Sequence, residues 1–361
     1  MNSFIQDPLP NGEDPREDIP LLLTYQPTRP EVDDPSLGRL LDMLTYRRPH
    51  GSRSELEFRR RFILDRFEVK HIDESGNIFV EVGENPTVLW SSHTDTVHTA
   101  EGRQSVVIKS GYIELPQSSL SNCLGADDGA GVWLMTEMIE AGVPGLYVFH
   151  YGEERGCIGS RYIADETPGV LQDINCAVAF DRRGFLDVIT HQMTGRCCSD
   201  EFARSLAQQL PQGYRPSQNG VYTDTAQYID LVPECTNVAV GYFSEHTSGE
   251  CLNVDHILDL RDHLVAIDMS RVPIVRDPTA VDAEAYGDWT RYLYHSNDDG
   301  YAGYGMTYGH TGRKYGRQTR ISIPTSMEDL LLDYPTEAAK VLEDYGFTYD
   351  EIWDEIEKAR S

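Results

Sequence analysis

The sequence predicts an α/β protein, and three observations carry that prediction. Apolar runs of strand length alternate with amphipathic segments of helix length along residues 36–270. Most of the apolar runs are short and nearly continuous, as expected of strands buried on both faces. Histidine, aspartate or glutamate residues fall at the ends of five separate runs, and the carboxyl edge of an open α/β sheet is where ligands bind.

Taken in order, residues 1–35 hold seven prolines among acidic residues, an arm that cannot build a core of its own. Residues 36–44 read as a short helix. A stronger one follows over 55–67, with Leu56, Phe58, Phe62, Ile63 and Phe67 on one side. Strands over 68–72 and 77–82 are joined by the turn Asp73-Glu74-Ser75-Gly76. The buried run 86–90 then delivers Ser91-Ser92-His93-Thr94-Asp95, and a further strand is expected over 105–109.

In Leu124-Gly125-Ala126-Asp127-Asp128-Gly129-Ala130-Gly131, small residues around an Asp pair let the backbone turn sharply. A helix over 131–140 follows, with Val132, Met135, Met138 and Ile139 as its packing side. The apolar strand 146–151 runs into Glu153 and Glu154 among glycines, and the strand 176–180 ends at Asp181. Beyond it come a strand over 184–191 and a helix over 199–210 capped by Ser199. A short helix at 223–229 and a strand at 236–242 lead to Ser244-Glu245-His246-Thr247, and a long amphipathic helix closes the region at 254–269.

Composition limits the function. Thirty-one basic residues against 59 acidic give a net charge of −28, a field that repels nucleic acid and anionic lipid. No apolar run reaches the roughly 18 residues of a membrane span, and no leader-like start is visible. Seven cysteines, an odd number without a C-x-x-C pair, suit reduced thiols and a cytoplasmic setting.

His93-x-Asp95 at a strand tip is a metal-ligand pattern, because a carboxylate two residues on can take the second ring N–H and fix the tautomer. By itself it is a weak motif. With Asp127, Glu153/Glu154, Asp181 and His246 it becomes a set of two histidines and several carboxylates. Such a set is able to hold two zinc ions about 3.5–4 Å apart around a shared carboxylate. One Glu of the adjacent pair is left over as general base on a metal-bridging water, which is the chemistry of amide hydrolysis.

These motifs, in this order, resemble the zinc exopeptidases with co-catalytic metals: bacterial aminopeptidases, tripeptidase T and the carboxypeptidase G-like enzymes. The resemblance covers roughly residues 36–270 and includes the Asp73-Glu74-Ser75-Gly76-Asn77 hairpin. It implies a three-layer α-β-α sandwich with a mixed, mostly parallel sheet. It also implies that His93 and Asp181 bind one metal, Glu154 and His246 the other, and that Asp127 bridges. Asp95 is then the residue orienting His93, Glu153 the general base, and the peptide after Asp127 is cis. Two Zn2+ are the implied cofactors, with Mn2+ or Co2+ as alternatives. Tyr222 resembles a tyrosine that helps stabilise the oxyanion in lidless members.

Members with a lid or dimerisation domain carry it between the Asp181 and His246 positions, and here residues 182–245 leave little room for one. A single lidless catalytic domain over 36–270 is therefore expected. Arg182 and Arg183 either hold a substrate carboxylate or face solvent. His98, His150, Cys123 and Cys157 are read as structural, since the ligand set is complete without them. Residues 271–325 are Tyr/Gly-rich and irregular, with a basic cluster at Arg313, Lys314, Arg317 and Arg320. Residues 326–361 read as a small helical module, with a capping box at Thr348, suited to self-association or a protein partner. The leading reading is an aminopeptidase acting on peptides. A carboxypeptidase or N-deacylase using the same metals is the alternative, and an inactive binding or assembly protein is the third.

Overall fold

The computed structural model of the protein describes residues 34–280. Nearly all of the expected arm (1–35), most of the Tyr/Gly-rich segment with its basic cluster, and the C-terminal helical module lie outside the described residues.

α1 (Pro35–Leu44) begins where proline costs nothing, at the first helical position, and Asp34 caps it by accepting from Ser36 N–H. The single helix expected over 55–67 is two pieces. α2 (Arg53–Arg59), capped by Ser52, passes into a wider π-helical turn over Arg60–Leu64. That turn buries both Phe62 and Ile63, and Phe62 packs edge-on against Tyr46 with ring centroids 5.6 Å apart.

Eight strands form one sheet. In chain order they are β1 (Val69–Ile72), β2 (Ile78–Val82), β3 (Val88–His93), β4 (Gly145–His150), β5 (Cys176–Arg182), β6 (Asp187–Ile189), β7 (Arg215–Ser217) and β8 (Glu234–Ala239). Their spatial order is β7-β6-β8-β5-β3-β4-β2-β1. The central four, β8-β5-β3-β4, are parallel, whereas β2 joins β4 and β6 joins β8 antiparallel. The sheet is thus mixed and mostly parallel, and its parallel centre reads as continuous apolar runs because both faces are covered.

The two-residue period divides the core into two layers. Ile78, Val80, Trp90, Tyr147, Phe149, Val178 and Phe180 face one helical layer. Phe79, Leu89, Leu146, Val148 and Ala177 face the other. α3 (Ala126–Glu140) and α6 (Val254–Leu264) cover the first face, while α4 (Ile158–Asp165) and the turns at Pro168–Leu171 and Asp224–Tyr228 cover the second. α5 (Asp200–Ala207) packs with α3 and α6 on the first face and is capped by Ser199, as its sequence indicates.

α3 departs from its expected one-sided character. It is buried on nearly every side, Trp133 and Thr136 included, because α1 and α6 cover the face that would otherwise meet solvent. Trp133 Nε1 donates to Ser36 O at 3.0 Å, tying α3 to the start of α1. Gly131 lets α3 approach the sheet: a Cβ there would lie 2.6 Å from both Phe180 O and Ser92 Oγ. The strand expected at 236–242 likewise divides, β8 ending at Ala239. Tyr242–Phe243 instead pairs with Cys251–Asn253 in a separate four-stranded antiparallel sheet with Tyr112–Glu114 and Val107–Lys109. Residues 182–245 supply β6, a small two-stranded hairpin, α5, β7, the 224–228 turn and β8, and then Tyr242–Phe243 of the four-stranded sheet.

Candidate metal centre

His93, Glu154 and Asp181 stand at or just past the carboxyl ends of strands of the main sheet, as expected. Asp127 lies instead at the start of α3 and His246 on a turn of the separate four-stranded sheet, so these two are not at strand ends. His93 is the last residue of β3, and its backbone N–H donates to Asp128 Oδ2 at 3.1 Å. Asp127 and Asp128 have non-helical backbone inside the first turn of α3, and the peptide between them is cis. Asp128 Oδ1 accepts from Gly131 N–H, so Asp128 caps the regular part of α3 while Asp127 is turned into the site. Glu153 and Glu154 form a single 3-10 turn between Gly152 and Gly156, both left-handed, which bends the chain back across the end of β4. Asp181 is the penultimate residue of β5, within the strand rather than in the connection after it. His246 lies on the turn between Tyr242–Phe243 and Cys251–Asn253, half-exposed and with φ +65°.

The structure brings these residues together in two groups that share Asp127. In the first, His93 Nε2 lies 3.1 Å from Asp127 Oδ1 and 3.7 Å from Asp181 Oδ1. In the second, His246 Nε2 lies 3.2 Å from Asp127 Oδ2 and 3.1 Å from Glu154 Oε1. Within each group the donor atoms lie within 4.8 Å of one another. Glu153 Oε2 stands 4.0 Å from His93 Nε2, beside both groups but a member of neither.

These residues fit a divalent cation. Imidazole nitrogens with carboxylate oxygens are the donor mixture zinc takes. Glu154 Oε1 is buried and has no hydrogen-bond partner, although His246 Nε2 is only 3.1 Å away. Two atoms that both donate lone pairs to one ion sit in that relation. The electrostatics point the same way. Burial, then the Asp127 carboxylate, pushes Asp181 up to about 6, and burial is the main reason Glu154 rises to about 7. Burial also holds Glu153 well above the usual carboxylate range, the direction a base working near neutral pH needs. Burial opposes charging His246, yet its contacts with Asp127 and Glu154 raise it to about 12. Such crowding of buried carboxylates is costly unless positive charge is supplied.

Supporting contacts surround the ligands. Asp181 accepts from Thr223 Oγ1 at 2.7 Å and Tyr242 OH at 3.1 Å, and Asn237 clamps its backbone from both sides. Asp95 is buried behind His93, but its backbone oxygen, at 3.1 Å from Nδ1, is closer than its carboxylate at 3.5 Å. The Asp95 carboxylate instead accepts from Glu153 N–H, linking the His93 and Glu153 turns. Tyr222 precedes Thr223, and its hydroxyl accepts from Gln227.

One residue read as structural reaches the site, and the others keep the roles expected of them. Cys157 is more than filler, since its thiol donates to Glu153 Oε1 at 3.5 Å. Arg182 is half-buried and pairs with Asp187, whereas Arg183 faces solvent, as read, with Glu245 beside it. His98 and His150 are engaged away from the ligands, with Thr96 and Gln104, and with Ser91 and Tyr228, respectively. Thr223, Tyr242, Asn237 and Glu250 were not singled out from sequence. Their role depends on contacts between distant segments, and nothing in their local pattern marks it.

Glu55 on α2 offers a test of this buried environment. It accepts from Thr94 Oγ1 and Gly51 N–H, and burial, then the nearby Asp95 carboxylate, raises it from 4.5 to about 6. An acid raised on folding gives its full stability below the unfolded value and loses it as pH climbs through the folded one. Between pH 4.5 and 7 Glu55 should therefore cost the fold about 2 kcal/mol. In thermal melts the wild type is expected to lose stability over that window relative to Glu55→Gln, whose side chain does not titrate. Parallel pH slopes for the two proteins would refute this.

Comparison with known proteins follows the same lines. The profile of peptidase family M28 matches residues 77–303. The aminopeptidase PepT of Bacillus cereus superposes with a TM-score of 0.54 at 16% identity, over 64% of this chain and 96% of that one. A tripeptidase of Staphylococcus aureus gives 0.50 at 17% identity, over 64% and 96%. A TET aminopeptidase from a marine sediment archaeon of the Thaumarchaeota gives 0.50 at 14%, over 70% and 99%. At such identities the likeness is one of fold, that of the zinc exopeptidases. A comparison with curated proteins gives no match. The family profile spans well over half of the sequence and contains all five ligand positions: the chain belongs to peptidase family M28, whose members are metal-dependent peptidases.

Proposed function

We propose that the protein is a two-zinc aminopeptidase. The observation that carries this reading is the pair of donor groups sharing Asp127, with Glu153 beside them and in neither. His93 and Asp181 would hold one ion and Glu154 and His246 the other, with Asp127 shared between the two groups. Bound zinc would supply Lewis-acid polarisation of the scissile carbonyl and a more acidic water near neutral pH. Glu153 takes the proton of the attacking water on its carboxylate and passes it to the departing amine. Its own position is set by Asp95, which holds its N–H, and by the Cys157 thiol on Oε1. Tyr222 is the candidate for steadying the developing oxyanion.

The aminopeptidases among the structurally similar proteins favour the reading of a substrate with a free amino terminus. A carboxypeptidase needs an arginine available for the substrate carboxylate, and Arg182, one of the two candidates, is paired with Asp187. The six buried free thiols Cys123, Cys157, Cys176, Cys197, Cys198 and Cys235 support a reducing, cytoplasmic setting. The test is a panel of aminoacyl p-nitroanilides with free or acetylated amino groups, together with peptides blocked at either end. Free-amine substrates should turn over with kcat/KM at least about 100-fold above their acetylated forms. Equal cleavage of blocked and free amines would favour the deacylase or carboxypeptidase alternative.

A further inference from the structure

Glu250 is a wholly buried carboxylate whose oxygens accept from three backbone amides. Its Oε2 accepts from Leu124 N–H at 2.8 Å and Gly125 N–H at 2.9 Å, and its Oε1 from Asp127 N–H at 3.0 Å. These donors lie at the start of α3, where helical geometry leaves N–H groups without partners. They remain available because Gly125 is left-handed and Asp127 is extended. Glu250 therefore does the work of a capping residue from far along the chain.

Its position in sequence gives that bond a second consequence. Glu250 follows His246 by four residues and closes the same turn, just before Cys251–Asn253. Residues 246–249 are exposed, and His246 is itself half-exposed. Two side-chain tethers run from this turn to the rest of the site. One is the Glu245–Arg183 pair, which is exposed on the arginine side and so contributes little. The other is the Glu250 carboxylate, buried and accepting three backbone hydrogen bonds. It joins the turn carrying His246 to the loop carrying Asp127, two of the three donors of the second group.

We infer that Glu250 is a positioning residue, a clasp that holds His246 and Asp127 at ion-binding separation and so sets the affinity of the ion they share with Glu154. This rests on the two-ion reading above. Glutamine at 250 has a single acceptor oxygen, so its NH2 must face either Asp127 N–H or the Leu124 and Gly125 pair, donor against donor. Aspartate keeps the charge but falls one methylene short.

The test is titration of chelator-stripped protein with Co2+, following the absorption of the bound ions, for the wild type, Glu250→Gln and Glu250→Asp. Glu234→Gln serves as control. Glu234 is also a buried carboxylate accepting backbone amides, those of Ser199, Val275 and Arg276, but it lies away from the ligands. The wild type should bind two ions. Both Glu250 variants should keep the first ion within a few-fold and bind the second at least about ten-fold more weakly, as for other residues that orient metal ligands. Their kcat should recover in excess metal while KM stays unchanged. Glu234→Gln should lower Tm and leave both affinities alone. If Glu250→Gln does not fold, Glu250→Asp decides. Second-ion binding of wild-type strength in a folded Glu250 variant, or equal weakening in Glu234→Gln, overturns the clasp. A wild type that binds fewer than two ions overturns the two-ion reading and the clasp with it.

Discussion

Asp127→Asn is expected to strip the protein of both ions in one step. Each oxygen of Asp127 faces a different histidine, at 3.1 Å from His93 Nε2 and 3.2 Å from His246 Nε2. The amide keeps one acceptor and turns a donor toward the other ring, so at least one donor group is broken and the shared bridge is lost. Replacing residues that merely orient ligands costs about 10–100-fold in metal affinity. Loss of the bridging ligand should exceed that, leaving little metal after desalting and no measurable turnover. Elemental analysis checks this, with Glu154→Gln as the comparison that should lose mainly one ion. Two ions retained by Asp127→Asn would show that Asp127 is no bridge.

The second large effect separates metal binding from proton transfer. Glu153→Gln should keep both ions and lower kcat by about 10²–10⁴-fold, the range typical of a removed general base. KM should change little, because the lost interaction belongs to the transition state. The geometry supports that split. Glu153 lies beside both groups without completing either, and its backbone is held on Asp95 independently of its side chain. Loss of metal in Glu153→Gln would instead make it a ligand. Unchanged kcat would remove it from the chemistry.

Much of this arrangement was legible because it is written at strand ends. His93, Asp181 and the Glu153–Glu154 pair follow apolar runs whose parallel order turns all those ends to one edge, so a pattern in one dimension became a cluster in three. Asp127 was legible through its small neighbours, which permit the sharp turn that it occupies. What could not be read are the contacts made between segments. Glu250 looks like any acidic residue closing a turn, and its amide partners lie more than a hundred residues earlier. The contact of Cys157 with Glu153 is not legible in sequence, because their distance depends on the left-handed turn at Gly156–Cys157. α3 seemed one-sided because periodicity within a helix says nothing of what α1 and α6 lay over its other face. The divided strand at 236–243 has a similar cause. Its apolar pattern continues through the break at Val240–Gly241, and the change of sheet shows only in the pairing partners.

Anomalous diffraction from crystals grown with zinc bears most directly on the shared-carboxylate site. Two peaks about 3.5–4 Å apart are expected, one against His93 and Asp181, the other against Glu154 and His246, with Asp127 touching both. A lone peak, or zinc bound away from these five side chains, would contradict the account.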